Sequence, residues 1–208
     1  MSRIILASKS PRRFDLMSLT GLDFEVIVAN INEDQVLTDV LNKYHSRGIR
    51  ADMYQIAQEV ACAQAKAKAF AVLDSVGKSE DVLVIGSDTV VVTADSILGK
   101  PTDEEDARHM LTLLSGATHR VYTGVAILGR GQNRTFSSFA DVKFHAFDDL
   151  QEKLIEDYIA TGSPMDKAGA YGIQDQGALL IDSISGDYYA VVGLPVAQVN
   201  RVLREMLV

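Results

Sequence analysis

The stretch Val82-Leu83-Val84-Ile85-Gly86-Ser87-Asp88-Thr89-Val90-Val91-Val92 constrains the fold more than any other part of the chain. Continuous β-branched residues predict a strand buried on both faces, since a half-exposed strand would alternate apolar and polar positions. Asp88 falls in the middle of it, and an ionised carboxylate there is costly unless it meets a cation or strong donors. Two readings stand at this point: Asp88 belongs to a functional site, or it satisfies nearby backbone groups beside Gly86.

The first residues carry the second strong signal. Residues 4–7 read as a short strand, and Ser10 followed by Pro11 reads as a helix N-cap and first helical residue, because proline's fixed φ suits that position. Arg12 and Arg13 then lie in the first turn, where the helix dipole already presents partial positive charge. An anion at that helix end would make sense of them, with free backbone N–H groups, the Ser8 and Ser10 hydroxyls and two guanidinium forks converging on phosphate. The alternative is a solvated arginine pair. A formal charge of −8 argues against broad binding to nucleic acid or an anionic membrane, so an anionic ligand needs a local basic site of this kind.

With 208 residues, 47% of them hydrophobic and 23% charged, the chain predicts one domain over residues 1–208, or two lobes sharing a cleft. The single cysteine, Cys62, excludes an intramolecular disulfide and reads as a small buried residue in a helix. The four histidines lack metal-ligand spacing. The apolar start is too short for a signal peptide, and no apolar run reaches membrane-spanning length, so the reading is cytoplasmic.

In chain order, residues 24–31 read as a strand delivering Asn32-Glu33-Asp34, a cluster that is either a turn or a source of metal ligands. Residues 34–50 show no clean period and read as an inserted or mobile segment. Residues 51–73 read as a helix with Ile56, Val60, Ala63, Ala67 and Phe70 on one face, flanked by Lys66 and Lys68 and stopped near Gly77. Residues 97–101 return as a short hairpin that places Lys100 near the end of the Asp88 strand. Thr102 and Glu105 predict a capping box for a helix to Leu114, and Asp148 with Gln151 a second one for a helix through Thr161. Between these helices, strands at 119–128 and 134–147 flank the turn Gly129-Arg130-Gly131, which reads as a hairpin because it lacks the order of a dinucleotide fingerprint. Residues 163–174 are too long and glycine-rich for a plain connector. With Asp166 and Lys167 they read as a binding loop. Strands at 178–184 and 188–192 follow, and Pro195 starts a closing helix with Val199, Val202, Leu203 and Met206 facing inward.

A basic helix start, lysines, two acidic positions and a glycine-rich loop with an amide suit a polyphosphate substrate with a divalent cation. No P-loop motif is present, and no cysteine or histidine stands out as a nucleophile, which favours attack by activated water.

Ala7-Ser8-Lys9-Ser10-Pro11-Arg12-Arg13, Ser87-Asp88-Thr89, Leu98-Gly99-Lys100-Pro101, Leu114-Ser115-Gly116, Val121-Tyr122-Thr123-Gly124-Val125 and Asp166-Lys167-Ala168-Gly169-Ala170-Tyr171-Gly172-Ile173-Gln174 together resemble the Maf family of nucleoside triphosphate pyrophosphatases. The resemblance implies an α/β fold similar to inosine triphosphate pyrophosphatases, with an elongated mixed β-sheet, flanking helices and two lobes around a central cleft. It implies hydrolysis between the α- and β-phosphates with Mg²⁺ or Mn²⁺. Carried over by motif, Asp88 becomes the catalytic carboxylate, as general base or metal ligand, and Glu33 a second metal-site carboxylate. Arg13, Lys66 and Lys100 would hold the triphosphate beside the Ser8 and Ser10 hydroxyls of the helix start and offset charge growing on the leaving pyrophosphate, which counts Lys100 with Asp88 and Glu33 as catalytic, while Arg12, Thr89 and Gln174 match positions tied to substrate choice.

The ending Ile173-Gln174 points to the dTTP and UTP branch, since a glutamine amide matches the N3–H and carbonyl edge shared by thymine and uracil. The alternatives are 7-methylguanosine triphosphate specificity, or a nucleotide-binding regulator of cell division with little catalysis. The resemblance also leaves room for a homodimer, and residues 34–54 look longer than the family's usual connection.

Overall fold

The computed structural model describes residues 2–46, 51–77 and 81–208. At its centre β3 (Val82–Val92) is buried along nearly its whole length, as its composition predicts. It lies in a seven-stranded mixed sheet of order β2-β1-β3-β5-β6-β7, with β4 (Ile97–Leu98) also paired to β3. β1 (Arg3–Leu6) runs parallel to β3 and to β2 (Glu25–Val26). β5 (Thr118–Gly129), β6 (Gln132–Phe144) and β7 (Ile181–Gly186) are antiparallel neighbours. The β5–β6 hairpin closes through Arg130 and Gly131, both at positive φ (53° and 68°), the backbone a two-residue turn between right-twisted strands requires.

The pleat of β3 sorts its side chains. Val82, Val84, Val90 and Val92 face α3 (Met53–Val76), whereas Leu83 and Ile85 pack with α1 (Pro11–Ser18) and α7 (Val196–Leu207). Val91 joins a cluster with α4 (Glu104–Leu114) and α5 (Asp149–Ala160). Helices on both faces are the physical reason a β-branched run can be continuous.

α3 approaches the sheet unusually closely. Ala57, Ala61, Ala65 and Ala69 are completely buried, and the last three meet glycines on the strands. A Cβ on Gly86 would sit 2.1 Å from the Ala65 carbonyl oxygen, and one on Gly124 would sit 2.3 Å from the Ala61 carbonyl carbon. Backbone therefore packs on backbone, which only alanine and glycine permit. This corrects the expected helix phase: Ala63 and Ala67 are only partly buried and Phe70 is 54% exposed, while Ile56, Val60, Gln64, Lys68 and Val72 lie inward.

Several local expectations also shift. The strand expected at 24–31 shrinks to Glu25–Val26. Much of 34–50 is helical, α2 (Glu33–Ser46), with Asn32 Oδ1 accepting the Gln35 amide at 3.0 Å and Glu33 and Asp34 favourably placed in the first turn. Residues 47–50 lie outside the described residues. The cap of α4 is Asp103 rather than Thr102, which instead donates to Asp106. Residues 176–180 form a 3₁₀ turn before β7. Residues 188–192 are a short helix, α6 (Tyr188–Val192), not a strand. Asp187 caps it, and the Gly193 and Leu194 amides both donate to the Tyr189 carbonyl, contacts that override β-branched propensity. Among the described residues no helix is long and apolar enough to cross a membrane.

Candidate active site

The sheet has a gap. β1 pairs with β3 only as far as Leu6 opposite Ile85, and β4 joins β3 only at Val91 and Val92. Between them, residues 86–90 of β3 have no strand neighbour on that side, and a cleft of about 1620 Å³ opens there. Its walls come from the 7–13 segment, the start of α2, α3, the 97–102 segment and residues 165–174.

Asp88 stands in the gap on the face covered by α3. Its Oδ1 accepts from Lys68 Nζ at 2.5 Å, and the same ammonium meets Glu33 Oε1 at 2.7 Å. Glu33 Oε2 is 3.4 Å from Lys100 Nζ. Burial works against ionisation of Glu33, but the hydrogen bond from Lys68 and the charges of Lys68 and Lys100 outweigh it and hold its carboxyl below the usual range. Gln64, buried one turn before Lys68, donates to the Glu33 backbone carbonyl at 3.1 Å and so fixes the head of α2 against α3. Four elements thus bring two carboxylates and two ammonium groups together, and the buried Lys68–Asp88 pair satisfies the cost of placing Asp88 inside a strand.

Arg13 and Thr89 meet on the opposite face of the gap. Arg13 Nε donates to the Gly193 carbonyl at 2.8 Å and Nη2 donates to Thr89 Oγ1 at 3.0 Å. Burial pushes the Arg13 pKa down, opposed by the charge of Asp88. Thr89 Oγ1 also lies 2.9 Å from Thr123 Oγ1. Ser10 caps α1 by accepting the Arg13 amide at 3.5 Å, and Ser8 Oγ accepts the Ser10 amide at 3.2 Å. Arg12 reaches across the cleft mouth to Asp166, 3.9 Å away.

The loop at residues 163–175 is held from within. Lys167 Nζ donates to the Ser163 carbonyl, to Ser163 Oγ at 3.0 Å and to Asp166 Oδ1 at 2.7 Å, and lies 3.3 Å from Asp175 Oδ2. Its ammonium is consumed by these oxygens, while Gln174 is exposed along the cleft wall.

Of the residues singled out from sequence, Ser8, Ser10, Arg12, Arg13, Glu33, Asp88, Thr89, Lys100, Asp166, Lys167 and Gln174 all line this cleft. Lys66 does not: it is exposed on α3, and Lys68 takes the position expected of it. Two residues apart on a helix means about 200° around its axis, so only one of the two lysines can face the sheet. Gln64 gave no signal of its own, but the alternative alanine phase 57/61/65/69 would have pointed to both Gln64 and Lys68. Among the described residues, no group of three or more His, Cys, Asp or Glu side chains is placed to hold a metal ion. Two carboxylates, Asp88 and Glu33, do converge on one cation position.

Such a cleft can bind a polyanion with its basic groups while presenting carboxylates to a cation or a water molecule. Comparison with known proteins agrees with this chemistry. The profile of the family described as Maf-like protein matches residues 3–206. A protein of Bacillus thuringiensis subsp. konkukian (strain 97-27) named dTTP/UTP pyrophosphatase is 40% identical over 205 residues, covering 99% of this chain and 96% of that protein. Proteins of the same name from Bacillus cereus strains B4264 and ATCC 10987 are also 40% identical over 99% of this chain, covering 96% and 90% of their own lengths. With the match running nearly end to end, this chain belongs to the Maf-like protein family.

Proposed function

We propose that the chain is a nucleoside triphosphate pyrophosphatase that hydrolyses dTTP and UTP to the monophosphate and pyrophosphate. The observation that carries this is Lys68, held between Asp88 and Glu33 in the gap of β3, with Lys100 beside Glu33. A chain of net charge −8 concentrates cations there, opposite an acid pair. The names of the relatives support the same reaction and substrate class.

The triphosphate enters between α1 and the Lys100 segment, where Arg12, Lys100 and the hydroxyls of Ser8 and Ser10 bind its oxygens. Arg13, fixed by Gly193 and Thr89, supplies a positioned charge rather than a mobile one. Asp88 accepts a proton from water as the water oxygen bonds to the α-phosphorus. The bridging P–O bond breaks and pyrophosphate departs with the electron pair, its growing charge met by Lys68 and Lys100. The exposed Gln174 amide faces the base.

The residues also fit a divalent cation. Asp88 and Glu33 direct oxygens at the position that the Lys68 ammonium fills, and Mg²⁺ or Mn²⁺, which commonly takes one or two carboxylates plus substrate phosphates, would bind there by displacing that ammonium. Asp88 and Glu33 would hold that ion. Bound there, it supplies charge neutralisation on the phosphates and a more acidic water. We assign the activity to the cytoplasm.

The test is pyrophosphate release from dTTP, UTP, CTP, 5-methyl-UTP, 7-methyl-GTP, dITP and ATP with Mg²⁺ or Mn²⁺. Turnover concentrated on dTTP and UTP is expected. Preference for 7-methyl-GTP would keep the chemistry and overturn the base assignment, and binding without turnover would indicate a regulator.

A further inference from the structure

The segment that lines the base end of the cleft has a backbone that side-chain-bearing residues avoid. Gly169 and Ala170 are consecutive left-handed residues, with φ of 67° and 62°, and Ala170 is fully buried. Such a step persists only where its surroundings hold it. On one side the Gly169 amide donates to the Gly99 carbonyl at 2.9 Å, and a Cβ on Gly169 would lie 2.9 Å from Val91 Cγ1, so the step is pressed against β3.

On the other side Tyr171 is tied to β5. Its Oη lies 2.8 Å from His119 Nε2, with His119 1% and Tyr171 6% exposed. The rings of His119, Tyr171 and Phe144 meet edge-on, at centroid distances of 4.9–5.4 Å. Burial lowers the His119 pKa to about 4, so the ring is neutral and acts through its hydrogen bond rather than as a cation. The proposed chemistry makes no use of His119, which is not among the residues lining the cleft.

Base recognition supplies the reason to hold this step rigidly. A glutamine amide offers one donor edge and one acceptor edge, and by turning over it offers the reverse. Uracil and thymine present N3–H beside a carbonyl, and cytosine presents the opposite pattern. Gln174 alone therefore accepts either base, whereas a backbone N–H or C=O cannot be reversed while its loop is fixed. Residues 171–174 line the cleft wall.

We propose that His119 and Tyr171 are positioning residues whose hydrogen bond locks the Gly169-Ala170 step, so that the backbone of residues 171–174 meets the base with one polarity and favours uracil and thymine over cytosine nucleotides. This rests on the pyrimidine triphosphate reading above.

The experiment compares the intact chain with Tyr171→Phe, which keeps the ring and removes its oxygen, with His119→Phe, and with His119→Gln, which returns a polar group of similar reach. kcat and KM for UTP and CTP are measured alongside amide hydrogen exchange. Tyr171→Phe and His119→Phe should each lose about tenfold of the UTP-over-CTP preference in kcat/KM, through KM for UTP, with kcat changed by no more than about twofold. Exchange should quicken at residues 168–174 and not in β5, and His119→Gln should recover part of both. If a single variant fails to fold, the double variant His119→Phe/Tyr171→Phe leaves neither polar atom orphaned and is judged by the same readouts. An unchanged preference, or equal losses on UTP and CTP, overturns the proposal. A wild-type chain that releases no pyrophosphate from any pyrimidine triphosphate overturns the functional reading and the discrimination with it, while exchange still decides whether the bond locks the loop.

Discussion

Two lysines in this protein are buried among carboxylates, and they do different things. Lys68 lies between Glu33 and Asp88, and Lys167 lies against Asp166 and Asp175. The partners of Lys68 come from α2 and β3, elements far apart in sequence that meet only at the gap in the sheet. Those of Lys167 come from its own loop, with the Ser163 carbonyl and hydroxyl completing a closed set. Lys68 therefore forms part of a site open to the cleft, where a polyanion or a cation can compete for the same groups. Lys167 is a staple, saturated before any ligand arrives. A buried lysine marks function when its partners converge from several elements, and architecture when they are local.

The largest effect that tests this contrast is on Asp88. Asp88→Asn removes the proton acceptor while keeping shape, and should lower kcat by about 10³-fold or more in steady-state pyrophosphate release. Circular dichroism should stay that of the wild type, and retained turnover would sink the assignment. Next, Lys68→Met should lower kcat/KM by about 10²-fold, leaving Asp88 without its cation and Glu33 with Lys100 alone. Millimolar Mg²⁺ should then raise the melting temperature of this variant more than that of wild type, because the ion takes the vacated position between the carboxylates.

Lys167→Met should show the opposite profile. It leaves Asp175 without its cation and Asp166 with Arg12 alone, and because Asp166 is largely exposed the cost should be about 1 kcal/mol, or roughly 2–4 °C in melting temperature, and Mg²⁺ should not restore it. An activity loss without a stability loss would reverse the roles of the two lysines.

Acid should act on both networks. Burial alone would raise Asp175 and Glu33, but hydrogen bonds from Ser163 and the Gly177 amide to Asp175, and Lys68 and Lys100 at Glu33, bring both below their ordinary values. A depressed folded-state pKa gives stability that is present above the unfolded value and lost as pH falls through the folded one. Melting temperature should hold nearly level from pH 7 to 5 as far as these groups decide it, and fall below about pH 4. In Lys167→Met the acid fall should be shallower, since Asp175 has lost the one cation among the groups that depress it. The smallest effect belongs to Lys66→Met, which should change kcat/KM by less than about twofold, because Lys66 is exposed outside the cleft. A large loss there would return the phosphate-binding role to Lys66.

How much of this was legible in advance depended on the range of the interactions concerned. The buried strand, the Ser10 and Asp148 caps and the β5–β6 hairpin follow from composition, side-chain hydrogen bonds within a few residues and turn chemistry, and all appear where these predict. Asp88 was conspicuous because a carboxylate in a β-branched run needs a partner. The identity of that partner was not legible. The Ala-Lys-Ala-Lys-Ala segment of α3 has so little hydrophobic contrast that several helix phases fit it equally, and Phe70 favoured the wrong one.

By itself, then, the sequence determined that this chain builds a doubly covered strand carrying a costly carboxylate, a capped basic helix start and a glycine-rich loop, because those are properties of adjacent residues. Only the tertiary structure decided which lysine meets that carboxylate, that residues 188–192 coil rather than extend, and that the sheet is interrupted along residues 86–90 of β3. For the lysine, the physical reason lies in the absent side chains at Gly86 and Gly124. They let α3 settle backbone to backbone on the sheet and so fix its rotation, a constraint written in residues distant from the helix it orients.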